Sequence, residues 1–210
     1  MKFTDFEKHL RLIQEQPLVD REILLNKVSK HRIDKDSKSN LKSAKRAAVL
    51  ALFYPDKKGE TTFSLMLRET YKGVHSAQVS FPGGKQEVED LDFYDTALRE
   101  TYEELGIPKK DVCYIKELSE IYIPPSNFLV FPFMGYLKKS PRFFTNNEVA
   151  ELIEVKLKDL MNPANQKEKT MDFSDGLKIK TQYFDLNNHV VWGATALILA
   201  EIQEILKRVF

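Results

Sequence analysis

The stretch that most constrains this chain is "SFPGGKQEVEDLDFYDTALRETYEELGI", Ser80 to Ile107. A Phe-Pro-Gly-Gly turn leads into a run of helical character. Asp92 supplies an N-cap and Gly106 a C-terminal stop, so the spacing predicts a helix over 92–105. At about 3.6 residues per turn, Tyr94, Leu98, Thr101, Tyr102 and Leu105 fall on one side, the expected core face. Glu100, Glu103 and Glu104 fall on the other, with Glu100 and Glu104 one turn apart. Like charges at this spacing repel, and a solvated face usually mixes signs. The only cation inside the cluster is Arg99. Carboxylates on a rigid helix beside a glycine turn suit a hard divalent cation with oxygen ligands, Mg²⁺ or Mn²⁺. Glycine lets backbone approach an ion or a phosphate without a Cβ in the way. Taken alone, the residues leave a solvated acidic face as the alternative, and they name no reaction.

Around this stretch the chain alternates strand and helix signals. Phe3, Phe6, Leu10 and Ile13 recur at helical spacing and predict a helix over 4–15. Residues 26–48 hold eight Lys or Arg against two Asp. They are expected to form a solvated basic connector, with an arm that meets an anionic ligand as the alternative. Residues 47–54 and 61–68 read as strands joined by the turn-rich "PDKKGE". Short strand character precedes Pro82. Residues 112–123, 128–137 and 177–186 read as further strands, 148–160 as extended and then helical, and 193–210 as a closing amphipathic helix. Strands interleaved with few helices predict an α/β protein, a mixed β-sheet packed between helices.

The global numbers bound the functional classes. With 210 residues the chain is long enough for one sizeable core, and 42% hydrophobic with 30% charged residues is ordinary for a globular protein. A net charge of +1 gives no overall field for nucleic acid. The basic segment also lacks the aromatic interleaving that stacks bases, so a nucleic-acid partner is not expected. One cysteine, Cys113, excludes an intramolecular disulfide and fits a reducing compartment. There is no signal-peptide core and no run of 18 apolar residues, so the expectation is a cytoplasmic protein without a membrane partner.

The run "GGKQEVEDLDFYDTALRETYEELGI" resembles the Nudix box, with Gly84, Arg99, Glu100, Glu103, Glu104, Gly106 and Ile107 matching. The early acidic position is Asp90, and the gap to Arg99 is one residue longer than the general pattern. Both features are similar to the coenzyme A pyrophosphatase branch of that family. So is the upstream "LMLRETYKGVHSAQVSFPGG", where Arg68, His75, Gln78, Phe81, Pro82, Gly83 and Gly84 match and Ala77 replaces a usual glycine. Further echoes are "RAAVL" (46–50), "NNEVAEL" (146–152) and "WGATA" (192–196), so the resemblance spans about residues 46–200.

The resemblance implies a Nudix fold, an α/β/α sandwich, over 46–210, preceded by an N-terminal helical extension and basic connector over 1–45. It implies a Mg²⁺- or Mn²⁺-dependent hydrolase that cuts the pyrophosphate of coenzyme A or a derivative. Its alternatives are ADP-ribose, dinucleotides or other nucleoside diphosphate compounds as substrate, and a non-catalytic binding module. Glu100, Glu103, Glu104 and the Gly84 carbonyl are the implied metal ligands. Glu103, Glu104 and Glu148 are the candidate bases, and Arg99 is a buttress that orients Glu103 and offsets charge repulsion. Arg68, His75, Gln78 and Lys85 are the implied substrate contacts, each of which has an ordinary structural alternative. Trp192 reads as packing. Cys113 lacks a paired base, and His9, His31 and His189 lack metal-ligand spacing.

Overall fold

The computed structural model describes residues 1–28, 38–69, 78–172 and 178–210. Four short helices open the chain: α1 (Phe3–Lys8), α2 (Leu10–Glu15), α3 (Arg21–Val28) and α4 (Lys38–Ser43). Strands β1 (Lys45–Pro55), β2 (Thr61–Arg68), β3 (Val79–Ser80) and β4 (Gly83–Lys85) follow, then helix α5 (Phe93–Leu105). After it come β5 (Cys113–Glu117), β6 (Ile121–Ile123), β7 (Phe128–Tyr136), β8 (Val149–Lys156) and α6 (Leu157–Met161). The chain closes with β9 (Gln166–Asp172), β10 (Lys178–Leu186), β11 (His189–Val191) and α7 (Gly193–Lys207).

Strand β1 is the spine. Successive side chains on a strand point to opposite faces, so a strand covered on both faces is apolar throughout. Ala51 and Phe53 face one core, while Ala48, Leu50, Leu52 and Tyr54 face the other. The first core is completed by α7 and by Phe3, Phe6, Ile13, Val19 and Leu24 of the N-terminal segment; the second is completed by α5. The result is an α/β/α sandwich. The main sheet has eight strands ordered β3-β2-β1-β7-β5, with β4 beside β1, β6 beside β7 and β8 beside β2. It is mixed, because β1 runs parallel to β7 and antiparallel to β2 and β4. Strands β9, β10 and β11 form a second, antiparallel sheet. Among the described residues, no helix is long and apolar enough to cross a membrane.

Several sequence expectations need correction. The predicted helix over 4–15 is broken at His9, whose φ of −99° and ψ of 4° leave the helical region. Both pieces still bury their apolar face, and Phe6 lies on Phe53 with ring centroids 5.1 Å apart. The single strand expected over 112–123 is two. Ser119 donates from its backbone N and its hydroxyl to the buried Glu201 carboxylate of α7, at 2.9 and 2.7 Å, which takes this segment off the ladder. The glycine turn is itself a strand, since Gly83 and Gly84 pair with Val49 and Ala48. The basic stretch 26–48 contains α4 and the start of β1, and its residues 29–37 lie outside the described ones.

Candidate active site

The site lies where α5, β4 and the end of β2 meet. Helix α5 starts as its caps dictate: the Asp92 carboxylate accepts from the Asp95 amide at 2.7 Å. It ends at Gly106, in the left-handed region at φ 72°. A Cβ at Gly106 would come within 2.8 Å of Phe144, so the following loop closes directly over the helix end. That loop satisfies the last carbonyls of α5: Phe144 N donates to Leu105 O at 3.0 Å, and Asn146 N to Glu104 O at 3.3 Å.

The buried face of α5 is Thr96, Ala97, Thr101, Glu104 and Leu105. Two assignments of the helical wheel are therefore corrected. Tyr102, expected in the core, is 56% exposed. Glu104, expected on the solvent side with Glu100 and Glu103, is 1% exposed. The stripe that meets the sheet is rotated toward Glu104 because the sheet there has no side chains to exclude it. Its Oε2 accepts from the Gly83 amide at 2.8 Å, and its Oε1 accepts from Arg68 Nη1 at 3.0 Å. Burial is the largest influence on this carboxyl and pushes its pKa up to about 8, against the lowering pull of Arg68 and the Gly83 amide.

Glu100 leans over the other glycine. A Cβ placed on Gly84 would meet the Glu100 carboxyl at 2.4 to 2.7 Å, so only glycine permits this approach. Burial raises the Glu100 pKa, and neighbouring Arg99 opposes the rise. Glu103 stays at the surface, with its side chain 49% exposed.

Arg99 is the hub of the outer rim. Its Nε and Nη2 grip Asp90 at 2.8 and 3.1 Å, and Nη1 donates to Glu100 at 3.0 Å and Glu103 at 3.1 Å. Nη2 also donates to the Lys85 carbonyl at 3.0 Å. A bidentate guanidinium–carboxylate pair is a strong, directional contact. It holds the Asp90 carboxyl well below the usual carboxylate range, helped by the Glu87 amide and the Thr96 hydroxyl. Asp90 is thus the anchor of Arg99, a role that sequence reasoning missed. Its signal was an acid nine positions before the arginine, just ahead of the helix N-cap.

The remaining candidates divide. Arg68, Glu104 and Glu148 are brought together: Arg68 Nη2 donates to Glu148 Oε2 at 3.3 Å. Lys85 is exposed on β4. The Gln78 carbonyl accepts from Arg68 N at 3.2 Å, beside the same site. His75 lies outside the described residues. Trp192 is half-buried in front of α7.

The donor set fits a hard divalent cation. Glu100, Glu103 and Glu104 offer carboxylate oxygens, and Gly84 is a cradle that a Cβ would fill. Among the described residues, no group of three or more acidic, histidine or cysteine side chains is already arranged around one ion. Glu100 and Glu103 are turned to Arg99, and Glu104 to Arg68 and the Gly83 amide. Ligation by Glu100 and Glu104 therefore uses the carboxylate lone pairs that these contacts leave free.

Comparison with known proteins agrees with this geometry. A profile of the NUDIX domain matches residues 44–174. Over 162 residues the chain is 31% identical to Nudix hydrolase 15, mitochondrial, of Arabidopsis thaliana, covering 74% of this chain and 56% of that protein. It is 30% identical over 162 residues to the uncharacterized Nudix hydrolase NudL of Yersinia pestis (strain Pestoides F), covering 76% and 79%. Two solved structures share the fold. The Nudix hydrolase RenU of M. smegmatis has a TM-score of 0.54 at 16% identity, over 80% of this chain and 88% of that one. A MutT/nudix family protein of Enterococcus faecalis has a TM-score of 0.53 at 11% identity, over 96% and 74%. A glycine strand, an acid-bearing helix and a mixed sheet between helical layers define a Nudix-fold protein. The chain belongs to the Nudix hydrolase family.

Proposed function

We propose that this chain is a divalent-metal-dependent pyrophosphohydrolase. Its substrate is coenzyme A or a derivative, cut to adenosine 3′,5′-bisphosphate and 4′-phosphopantetheine. One observation carries the hydrolase reading: Glu100 and Glu104 converge on the adjoining glycines of β4, Glu100 over Gly84 and Glu104 on the Gly83 amide. Two half-to-fully buried carboxylates are thereby presented beside bare backbone, where a phosphate and a cation can approach together. The coenzyme A reading is supported by the resemblance of the 65–84 stretch and of the Asp90-to-Arg99 spacing to that branch of the family.

Glu100, Glu104 and the Gly84 carbonyl would hold Mg²⁺ or Mn²⁺, with Glu103 at the outer rim. Bound there, the ion neutralises diphosphate charge and lowers the pKa of a water. Arg99, locked by Asp90, fixes Glu100 and Glu103 and offsets their mutual repulsion. Glu148 takes the proton of the attacking water; its side chain is 54% exposed at the mouth, so it is reachable by solvent. Lys85 and the basic residues of 26–48 supply positive charge for substrate phosphate, and His75 and Gln78 precede the glycines in the sequence. A cytoplasmic location accords with the single cysteine.

Substrate choice is tested by mass spectrometry of products from coenzyme A, dephospho-coenzyme A, ADP-ribose and NADH with Mn²⁺. The expected result is a kcat/KM for coenzyme A at least about tenfold above the others, or about 1.4 kcal/mol of transition-state discrimination. Equal efficiency on ADP-ribose removes the coenzyme A assignment and keeps the hydrolase. No cleavage of any of the four removes both.

A further inference from the structure

Arg68 is the last residue of β2, at a point where the pairing with β8 shifts register between Leu67 and Arg68. Such an irregularity re-aims a side chain. The guanidinium meets three elements at once. Nη1 donates to Glu104 at 3.0 Å and to the Gly83 carbonyl at 3.3 Å, and Nη2 donates to Glu148 at 3.3 Å. We infer that Arg68 is a positioning residue: it holds the Glu148 loop against the Glu104 end of α5 and acts through these two carboxylates, not on a substrate anion.

The electrostatics point the same way. The guanidinium faces Glu104 and Glu148 together, so its charge is offset within the trio and no net positive charge is presented to a phosphate. The terminal nitrogens are already aimed at protein oxygens. The backbone is prepared for the clamp. Asn146 N bonds to the Glu104 carbonyl, the Glu148 amide donates to the Asn146 side chain at 2.9 Å, and Glu69 N donates to the Glu148 carbonyl at 2.9 Å. Those bonds place the loop backbone and leave the Glu148 carboxylate to be set by Arg68. The side chain of Arg68 is only 27% exposed, so the clamp is partly shielded from solvent screening.

This inference rests on the proposed hydrolysis for its kinetic arm and not for its thermodynamic one. In the metal-free protein, urea unfolding of wild type, Arg68→Met, Glu104→Gln and the double variant forms a double-mutant cycle. The expected coupling is about fivefold or more in the unfolding equilibrium constant; additive effects overturn the clamp. Arg68→Lys, which keeps charge without the fork, serves in the cycle if Arg68→Met does not fold. In the kinetic arm, Arg68→Met is expected to lower kcat about tenfold or more while KM for coenzyme A stays within about twofold. The preference for coenzyme A over dephospho-coenzyme A is expected to be unchanged. The Arg68→Met and Glu148→Gln losses in kcat are expected to be strongly non-additive. A KM raised about tenfold with kcat intact and the preference flattened would instead make Arg68 a substrate-anion ligand and overturn the inference. If no substrate is turned over, the proposed function fails and the unfolding cycle still decides the clamp.

Discussion

Two neighbouring glycines are expected to separate catalysis from folding when each is substituted in turn. In Gly84→Ala, the new Cβ would lie 2.4 Å from Glu100 Oε1 and 2.5 Å from its carboxyl carbon. Ordinary contact begins near about 3.4 Å, so the carboxyl must retreat by about 1 Å. The obstacle is the far end of a flexible side chain, and Gly84 is not among the positive-φ glycines. Alanine therefore strains no backbone and restricts the unfolded chain, which offsets part of the cost. Stability is expected to change by no more than about 1 kcal/mol, or about 4 °C in Tm. A 1 Å misplacement of a reacting group costs roughly a hundredfold in rate, so kcat is expected to fall by about that factor. Gly83→Ala behaves differently. Its φ is 152°, and the Cβ would lie 2.3 Å from the Ala48 carbonyl oxygen and 2.7 Å from the Val49 Cα. Backbone cannot yield, so a loss of about 3 kcal/mol or more is expected. Thermal shift and saturating-Mn²⁺ turnover measured together decide the matter. Full turnover in Gly84→Ala would refute the placement of Glu100 at the reaction centre.

Glu104→Gln puts an amide NH₂ against one of two donors, Gly83 N or Arg68, so it is expected to cost about 1–2 kcal/mol and to lower kcat roughly a hundredfold or more; a folded variant with normal turnover would place the ion elsewhere. In the metal-free protein, burial raises the Glu104 pKa to about 8, above its ordinary 4.5, so the folded state binds that proton more tightly than the unfolded chain. Its contribution to stability is present below about pH 4.5 and lost as pH rises through about 8, so wild-type Tm is expected to fall relative to Glu104→Gln across that window; a constant gap contradicts it. Asp90→Asn leaves Arg99 without its bidentate partner and is expected to cost about 3 kcal/mol by chemical denaturation, whereas a change within about 0.5 kcal/mol would show that Arg99 is held by its other contacts. Chelation by EDTA is expected to abolish turnover and excess Mg²⁺ or Mn²⁺ to restore it, and full turnover in the chelator would contradict metal dependence.

What was legible in the sequence tracks the range of the forces involved. Strands β1 and β2 and helix α7 are apolar or amphipathic over many residues, and α5 carries both caps locally, so each was readable from its own segment. Strand β9 was not. "QKEKTMD" has no apolar alternation, and it is extended because all of its residues pair with β10. The acids of the site were readable as a pattern, and their arrangement was not. Glu104 is on the buried face because Gly83 and Arg68, from two other strands, receive it. Periodicity alone cannot show a polar residue placed on a core face by partners far away in the chain. Arg68 is the same case in reverse: its motif marked it for substrate, and its neighbours in space are two carboxylates.

The most direct measurement is hydrolysis of coenzyme A with Mn²⁺ in ¹⁸O-water, with both products resolved by mass spectrometry and Glu104→Gln run in parallel. Water attacks one phosphorus and the other side leaves, so the account predicts adenosine 3′,5′-bisphosphate and 4′-phosphopantetheine with label in one product only. The variant should be slower by roughly a hundredfold or more. Intact coenzyme A after prolonged incubation, or cleavage at any bond other than the pyrophosphate, would contradict it.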